Sequence, residues 1–219
     1  VGLPMALQFS ITAIGVMAQQ TALNGFGDVA VAACSAAFKI DNLANQSLAA
    51  LGTAMATYAG QNYGAGRHDR IRQGVRAGLL VDLIFSAVGL ALVLAFNELL
   101  LKLFIESPTD EMLYYSKTYI VFQAAFYFIL GTVNLYRNTL QGMGCSVLTI
   151  IAGVTEVAMR FIAVLLFVKW WGYLGVCAST PSAWLGATIY LMIAYYVIIY
   201  RRTRAKSADK TPETHETGA

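Results

Sequence analysis

Charge is what this sequence has least of. Only 12% of its 219 residues are Asp, Glu, Lys or Arg, about half the share of an ordinary soluble domain. A water-soluble body of this length cannot cover its surface so thinly. Histidine is nearly missing. His68 sits in a basic stretch and His215 in the polar end, which excludes a histidine metal cluster and a Ser/His/Asp relay. Cys34, Cys145 and Cys177 are far apart in apolar surroundings. They lack CxxC or Cys/His spacing and read as small buried hydrophobes. Gly64 and Gly66 follow a long apolar block rather than a strand, which argues against nucleotide binding. No catalytic residue and no cofactor is expected. The chain opens at Val1 without a basic, apolar and cleavable leader, so it is expected to be one module or a fragment of something longer.

Hydrophobic residues make up 58% of the chain and the mean hydropathy is +0.60. They come in six blocks, at about 3–23, 29–59, 77–104, 115–140, 147–168 and 176–200. Blocks of this length suit a hydrocarbon layer about 30 Å thick. The expected fold is all-α, an integral membrane six-helix bundle over residues 1–200. The second block is long for one span, so it is expected to tilt or to extend beyond the lipid. A glycine-rich turn at 24–28, a basic loop at 60–76 and an acidic loop at 106–111 separate the first four blocks. Lys169-Trp170-Trp171 and Tyr190, Tyr195, Tyr196 and Tyr200 form interfacial belts. Residues 201–219 begin with Arg201, Arg202, Arg204 and Lys206 and continue polar; they are expected to form a disordered cytoplasmic tail.

With six spans, Arg67, Arg70, Arg72, Arg76, Arg137 and the basic start of the tail fall on one side, and Lys102, Lys117 and Lys169 on the other. That asymmetry places both chain ends in the cytoplasm and the protein in the inner (plasma) membrane. Membrane lipid is the expected partner of the basic loop, and nucleic acid is not expected.

Ionisable groups at membrane depth are costly and mark function by default. In the second block, Lys39 and Asp41 are followed by Asn42, Asn45 and Gln46. Asp41 and Asn45 are one turn apart on one helical face. They either line an aqueous cavity, with Asp41 binding a proton or cation, or are structural: Lys39 and Asp41 pair between helices, or Lys39 snorkels outward. Glu156 and Arg160 are spaced for an intrahelical ion pair, and a structural role is favoured. Asp82 lies only about a turn and a half into its block and reads as interfacial. Gln8, Thr12 and Gln19 share a face of the first helix, either bonding to other helices or presenting a surface to substrate. The fourth block carries Tyr119, Phe122, Gln123, Phe126, Tyr127, Asn134 and Tyr136. Gln123, Tyr127 and Asn134 can share one side. Aromatic faces attract organic cations, although aromatics at this spacing more often pack.

Gly2-Leu3-Pro4 opens the chain, Gly60-Gln61-Asn62-Tyr63-Gly64-Ala65-Gly66 ends the second block, and Leu140-Gln141-Gly142-Met143-Gly144 precedes the helix with Glu156 and Arg160. This pattern resembles the carboxy-terminal lobe of the multidrug and toxic-compound extrusion (MATE) family. The resemblance implies one lobe of a twelve-helix, two-lobe antiporter, with an amino-terminal lobe missing from this chain. It implies export of cationic or amphipathic organic compounds by alternating access, coupled to Na+ or H+. Some family members bind the coupling cation with an acid on the first helix of this lobe and another on the fourth. Here there is no acid between Val1 and Gly27 or between Lys117 and Gly144; other members place the coupling aspartate in the first lobe, which is absent from this chain, and Asp41 is the fallback candidate within it. The alternatives are a lipid-linked precursor flippase of the same superfamily, for which only Lys39 and Arg160 are available as basic lining, and a non-transporting membrane fragment.

Overall fold

A computed structural model of the chain describes residues 2–104 and 109–208. Among them are seven helices and no strand: α1 (Gly2–Asn24), α2 (Asp28–Gly64), α3 (His68–Lys102), α4 (Asp110–Ala124), α5 (Tyr127–Gly142), α6 (Ser146–Trp171) and α7 (Tyr173–Ala208). The all-α expectation holds. Among the described residues three helices, α3, α6 and α7 over Tyr173–Ile199, are long and apolar enough to cross a membrane, and α4 with α5, bent by 49° at their break, makes a fourth if the pair is one span. α2 is outside that set because Lys39, Asp41, Asn42, Asn45 and Gln46 dilute its middle. Of these, Asp41 and Asn45 are half-buried, while Lys39, Asn42 and Gln46 are exposed.

Helix boundaries differ from the hydropathy blocks where polar residues continue a helix. The basic stretch expected as a loop at 60–76 contains only a short turn, because α2 runs to Gly64 and α3 begins at His68. Likewise α7 continues past position 200 to Ala208. Residues 209–219 of the expected tail lie outside the described residues.

Two of the three motifs that carry the resemblance are helix stops. Gly66 has φ 66° and Gly144 has φ 80°, left-handed conformations that glycine adopts without penalty. In the first turn Arg67 N–H donates to Asn62 O at 2.8 Å, and in the second Cys145 N–H donates to Leu140 O at 2.9 Å. Both close the helix with a six-to-one bond. The motifs also meet. A β-carbon on Gly60 would stand 3.1 Å from Gly142 O, and one on Gly142 would strike the backbone carbonyl of Ala56. Nearer the middle, a β-carbon on Gly52 would stand 2.6 Å from Asn138 Nδ2. Thus α2 and α5 cross backbone to backbone, as small residues permit in membrane bundles.

α1 packs mainly on α6, while α5 is held among α2, α3 and α7. One core cluster gathers Leu23, Cys34, Leu48, Tyr119, Tyr127 and Trp184, and a second gathers Met55, Ile71, Leu135, Tyr136, Leu191 and Tyr195. Outward-facing apolar residues such as Leu80, Ile84 and Val88 on α3 and Ile162 and Leu165 on α6 are exposed, the pattern expected of a surface that meets lipid.

Candidate cation and substrate site

The site is built where the fourth span breaks. Neither proline nor glycine stands at the break between Ala124 and Tyr127; Phe126 there has φ −111° and ψ 11°. The rings of Phe122 and Phe126 stack across it, 5.5 Å apart. Tyr127, the first residue of α5, is buried, and its hydroxyl lies beside the Asp41 carboxylate of α2. Asp41 is half-buried, and its Oδ1 is enclosed without a hydrogen-bond partner. Asn45, one turn further along α2, is also half-buried. Tyr119 of α4 lies within electrostatic reach of both Asp41 and Arg160, and its ring meets Phe38 edge to face at 4.8 Å. The structure therefore brings Asp41, Tyr127 and Tyr119 together.

Lys39 goes elsewhere. It is exposed, with its ammonium 5.5 Å from the centre of the Phe104 ring. Among the described residues no ion pair links it to Asp41. Of the two sequence alternatives, the Lys39–Asp41 pair is the one absent from this arrangement.

Gln19 and Gln123 are both anchored to α7. Gln19 Nε2 donates to Val176 O at 3.3 Å, and its Oε1 accepts from Thr180 Oγ1 at 2.8 Å. Gln123 Nε2 donates to Cys177 O at 3.1 Å, and its Oε1 is buried without a partner. The reason lies four residues on. Pro181 is inside α7 and has no N–H, so the Cys177 carbonyl is left free of its intrahelical bond. A side chain from a neighbouring helix takes its place. Pro181 was the sequence signal for this contact. Asn134 caps back on its own helix, donating to Leu130 O at 3.1 Å. The side chain of Gln8 lies outside the described residues.

Glu156 is the centre of a triad rather than of a pair. Arg137 Nη2 of α5 approaches its Oε2 at 2.7 Å, and Arg160 Nη2 its Oε1 at 3.5 Å. Glu156 and Arg160 are buried, while Arg137 is partly exposed. The sequence places Arg137 simply on the cytoplasmic side, because its partner lies on another helix. Asp82 is also better enclosed than expected. It lies six residues, or about 9 Å along the helix, beyond Arg76, and it has 0% exposure. Gly131 of α5 gives it room to pack inward. No group of three His, Cys, Asp or Glu among the described residues is placed to hold a metal ion.

A family model described as MatE matches residues 4–166. The chain belongs to the MatE family. Its members are transporters, not enzymes, and a MatE chain is a membrane protein. The probable multidrug resistance protein YoeA of Bacillus subtilis (strain 168) is 25% identical over 207 residues, covering 92% of this chain and 43% of YoeA. YpnP of the same organism, also described as a probable multidrug resistance protein, is 25% identical over 176 residues, covering 80% of this chain and 39% of YpnP. This chain thus spans less than half the length of these relatives. Among solved structures, MATE in the straight conformation superposes with a TM-score of 0.79 at 18% identity, over 91% of this chain and 44% of that one. MATE in the bent conformation gives 0.77 at 19% identity, over 90% and 44%. An outward-facing multidrug resistance MATE transporter of the MOP superfamily gives 0.79 at 19%, over 91% and 44%. The MatE fold seen here is therefore one lobe of the two-lobe architecture.

Proposed function

We propose that this chain is one half of a cation-coupled multidrug antiporter in the plasma membrane. It works with an amino-terminal lobe and exports cationic or amphipathic organic compounds by alternating access. Na+ or H+ is the coupling ion, and both chain ends lie in the cytoplasm. The observation that carries this reading is Asp41: an acid inside the bundle, without a basic partner, with one carboxylate oxygen unsatisfied beside Tyr127. Such an oxygen is a ready ligand for a proton or a small cation. The names of YoeA and YpnP support multidrug export.

Asp41, Asn45 and Tyr127, with Asn134 further along α5, form the cation-binding side of the pathway. Tyr127 and Tyr119 add aromatic surface for organic cations. Gln19 and Gln123 hold α7 behind this wall, and Gln8 is assigned to the same pathway from the sequence alone. Lys39, about three turns into α2 and exposed, borders the pathway. Glu156 and Arg160 remain structural, with Arg137 as their third member.

The bend supplies the moving part. α4 and α5 meet beside Asp41, so occupancy of that carboxylate acts where the helix is already broken. A ligand moves such an equilibrium only by binding its two states differently; the Tyr127 contact is present in one of them. Ethidium export by cells carrying Asp41→Asn tests the assignment. The variant is expected to reach the membrane at normal levels and to lose most export. Undiminished export with Asp41→Asn removes Asp41 from coupling.

A further inference from the structure

α5 is bordered by an acid on two sides. At its first residue Tyr127 faces Asp41 of α2. Little more than a turn later, Thr132 faces Asp82 of α3. The second acid has no part in the reading above.

Asp82 has 0% exposure, whereas its neighbours Val81 and Leu83 are each 51% exposed on the outward side of α3. The carboxylate packs directly on Gly131; a β-carbon there would overlap it, lying 2.7 Å even from the more distant oxygen. Ser86 Oγ donates to Oδ1 at 3.1 Å and Thr132 Oγ1 to Oδ2 at 3.1 Å. The charged and titratable groups nearby are otherwise engaged. Arg72 and Arg76, earlier on α3, act on Tyr195 of α7. Tyr127 of α5 packs on Gly89 and turns to Asp41. The ion pairs among the described residues are Lys117–Glu98, Arg137–Glu156 and Arg160–Glu156, and none reaches Asp82. Among the described residues, no charged group of α2, α4 or α7 acts on it.

A carboxylate has about four lone-pair sites to satisfy. Asp82 has two donors, both neutral, on a helix whose other face meets lipid. A net charge with so little compensation is expensive in that setting. The neutral acid fits the same contacts. Its O–H donates to one of the two hydroxyls, and that serine or threonine turns its own proton to the carbonyl one turn back, the usual fallback in a helix. We propose that Asp82, Ser86 and Thr132 form a proton-binding site within the membrane, on the α3 side of α5 as Asp41 is on its α2 side. A proton from water bonds to a carboxylate oxygen when the site fills and returns to water when it empties; no other bond changes. The site stands independently of the Asp41 reading, because its test needs no transport.

Infrared spectroscopy of the protein in lipid membranes distinguishes the carbonyl of a carboxylic acid from an ionised carboxylate. At neutral pH a carboxylic-acid band is expected that Asp82→Asn removes and Asp41→Asn leaves in place. Thr132→Val is expected to shift that band without abolishing it, by deleting one hydrogen bond. This second variant decides the matter if Asp82→Asn does not fold. An unchanged carboxylic-acid band in Asp82→Asn, or an unshifted one in Thr132→Val, overturns the proposal.

Discussion

At the scale of single residues, the triad at Glu156 makes an ordered prediction. Removing its carboxylate leaves two guanidinium groups facing each other in a mostly dry site. Glu156→Gln should therefore be the most damaging of three substitutions, costing roughly 3–5 kcal/mol as an uncompensated buried charge. Arg137 approaches at 2.7 Å and Arg160 at 3.5 Å, so Arg137→Gln should destabilise more than Arg160→Gln. Thermal unfolding in detergent ranks them, and equal melting temperatures for the two arginine variants would show that distance does not set the order. The i,i+4 spacing made Glu156 and Arg160 visible in the sequence. Arg137 was not visible, because its partner lies on another helix and spacing reports only local neighbours. The enclosure of Asp82 was hidden for a related reason. Its depth follows from position, but its enclosure depends on Gly131, an absent side chain on a different helix.

At the scale of elements, six apolar blocks correspond to the observed path because hydropathy integrates over whole helices. The bend between α4 and α5 was hidden, since no proline or glycine marks it and the stacked rings of Phe122 and Phe126 span it. The turn at 65–67 was blurred because arginines continue α3 outside the apolar stretch. Two contacts between helices carry predictions. Gln123→Leu should cost about 1–3 kcal/mol by stranding the Cys177 carbonyl. Pro181→Ala supplies an N–H for that carbonyl, so the double variant should be more stable than the sum of the single effects allows. Strict additivity in this cycle would mean that Gln123 and Pro181 do not share the carbonyl. At the α2–α5 crossing, Gly142→Ala meets the fixed backbone of Ala56 and should lose roughly 1–3 kcal/mol. A β-carbon on Gly64 meets nothing within 4 Å, so Gly64→Ala is the control and should unfold like the parent protein.

At the scale of the whole molecule, one lobe supplies one wall of a transport path and the relatives are more than twice as long as the matched segment. The resemblance was legible because its motifs are turn glycines and close-packed glycines, whose roles demand those residues. The proposed coupling position was harder to read. The sequence offers Asp41 as a candidate among several polar residues of α2, and the fold adds Tyr127 beside it at the start of a bent helix. The central claim is that this carboxylate links cation binding to export. Drug efflux from proteoliposomes containing the full-length transporter, under sodium and proton gradients imposed separately, measures that link. One of the two gradients should drive efflux by the parent protein, and Asp41→Asn should abolish that drive while drug binding persists. Gradient-driven efflux equal to the parent's in Asp41→Asn would contradict the account.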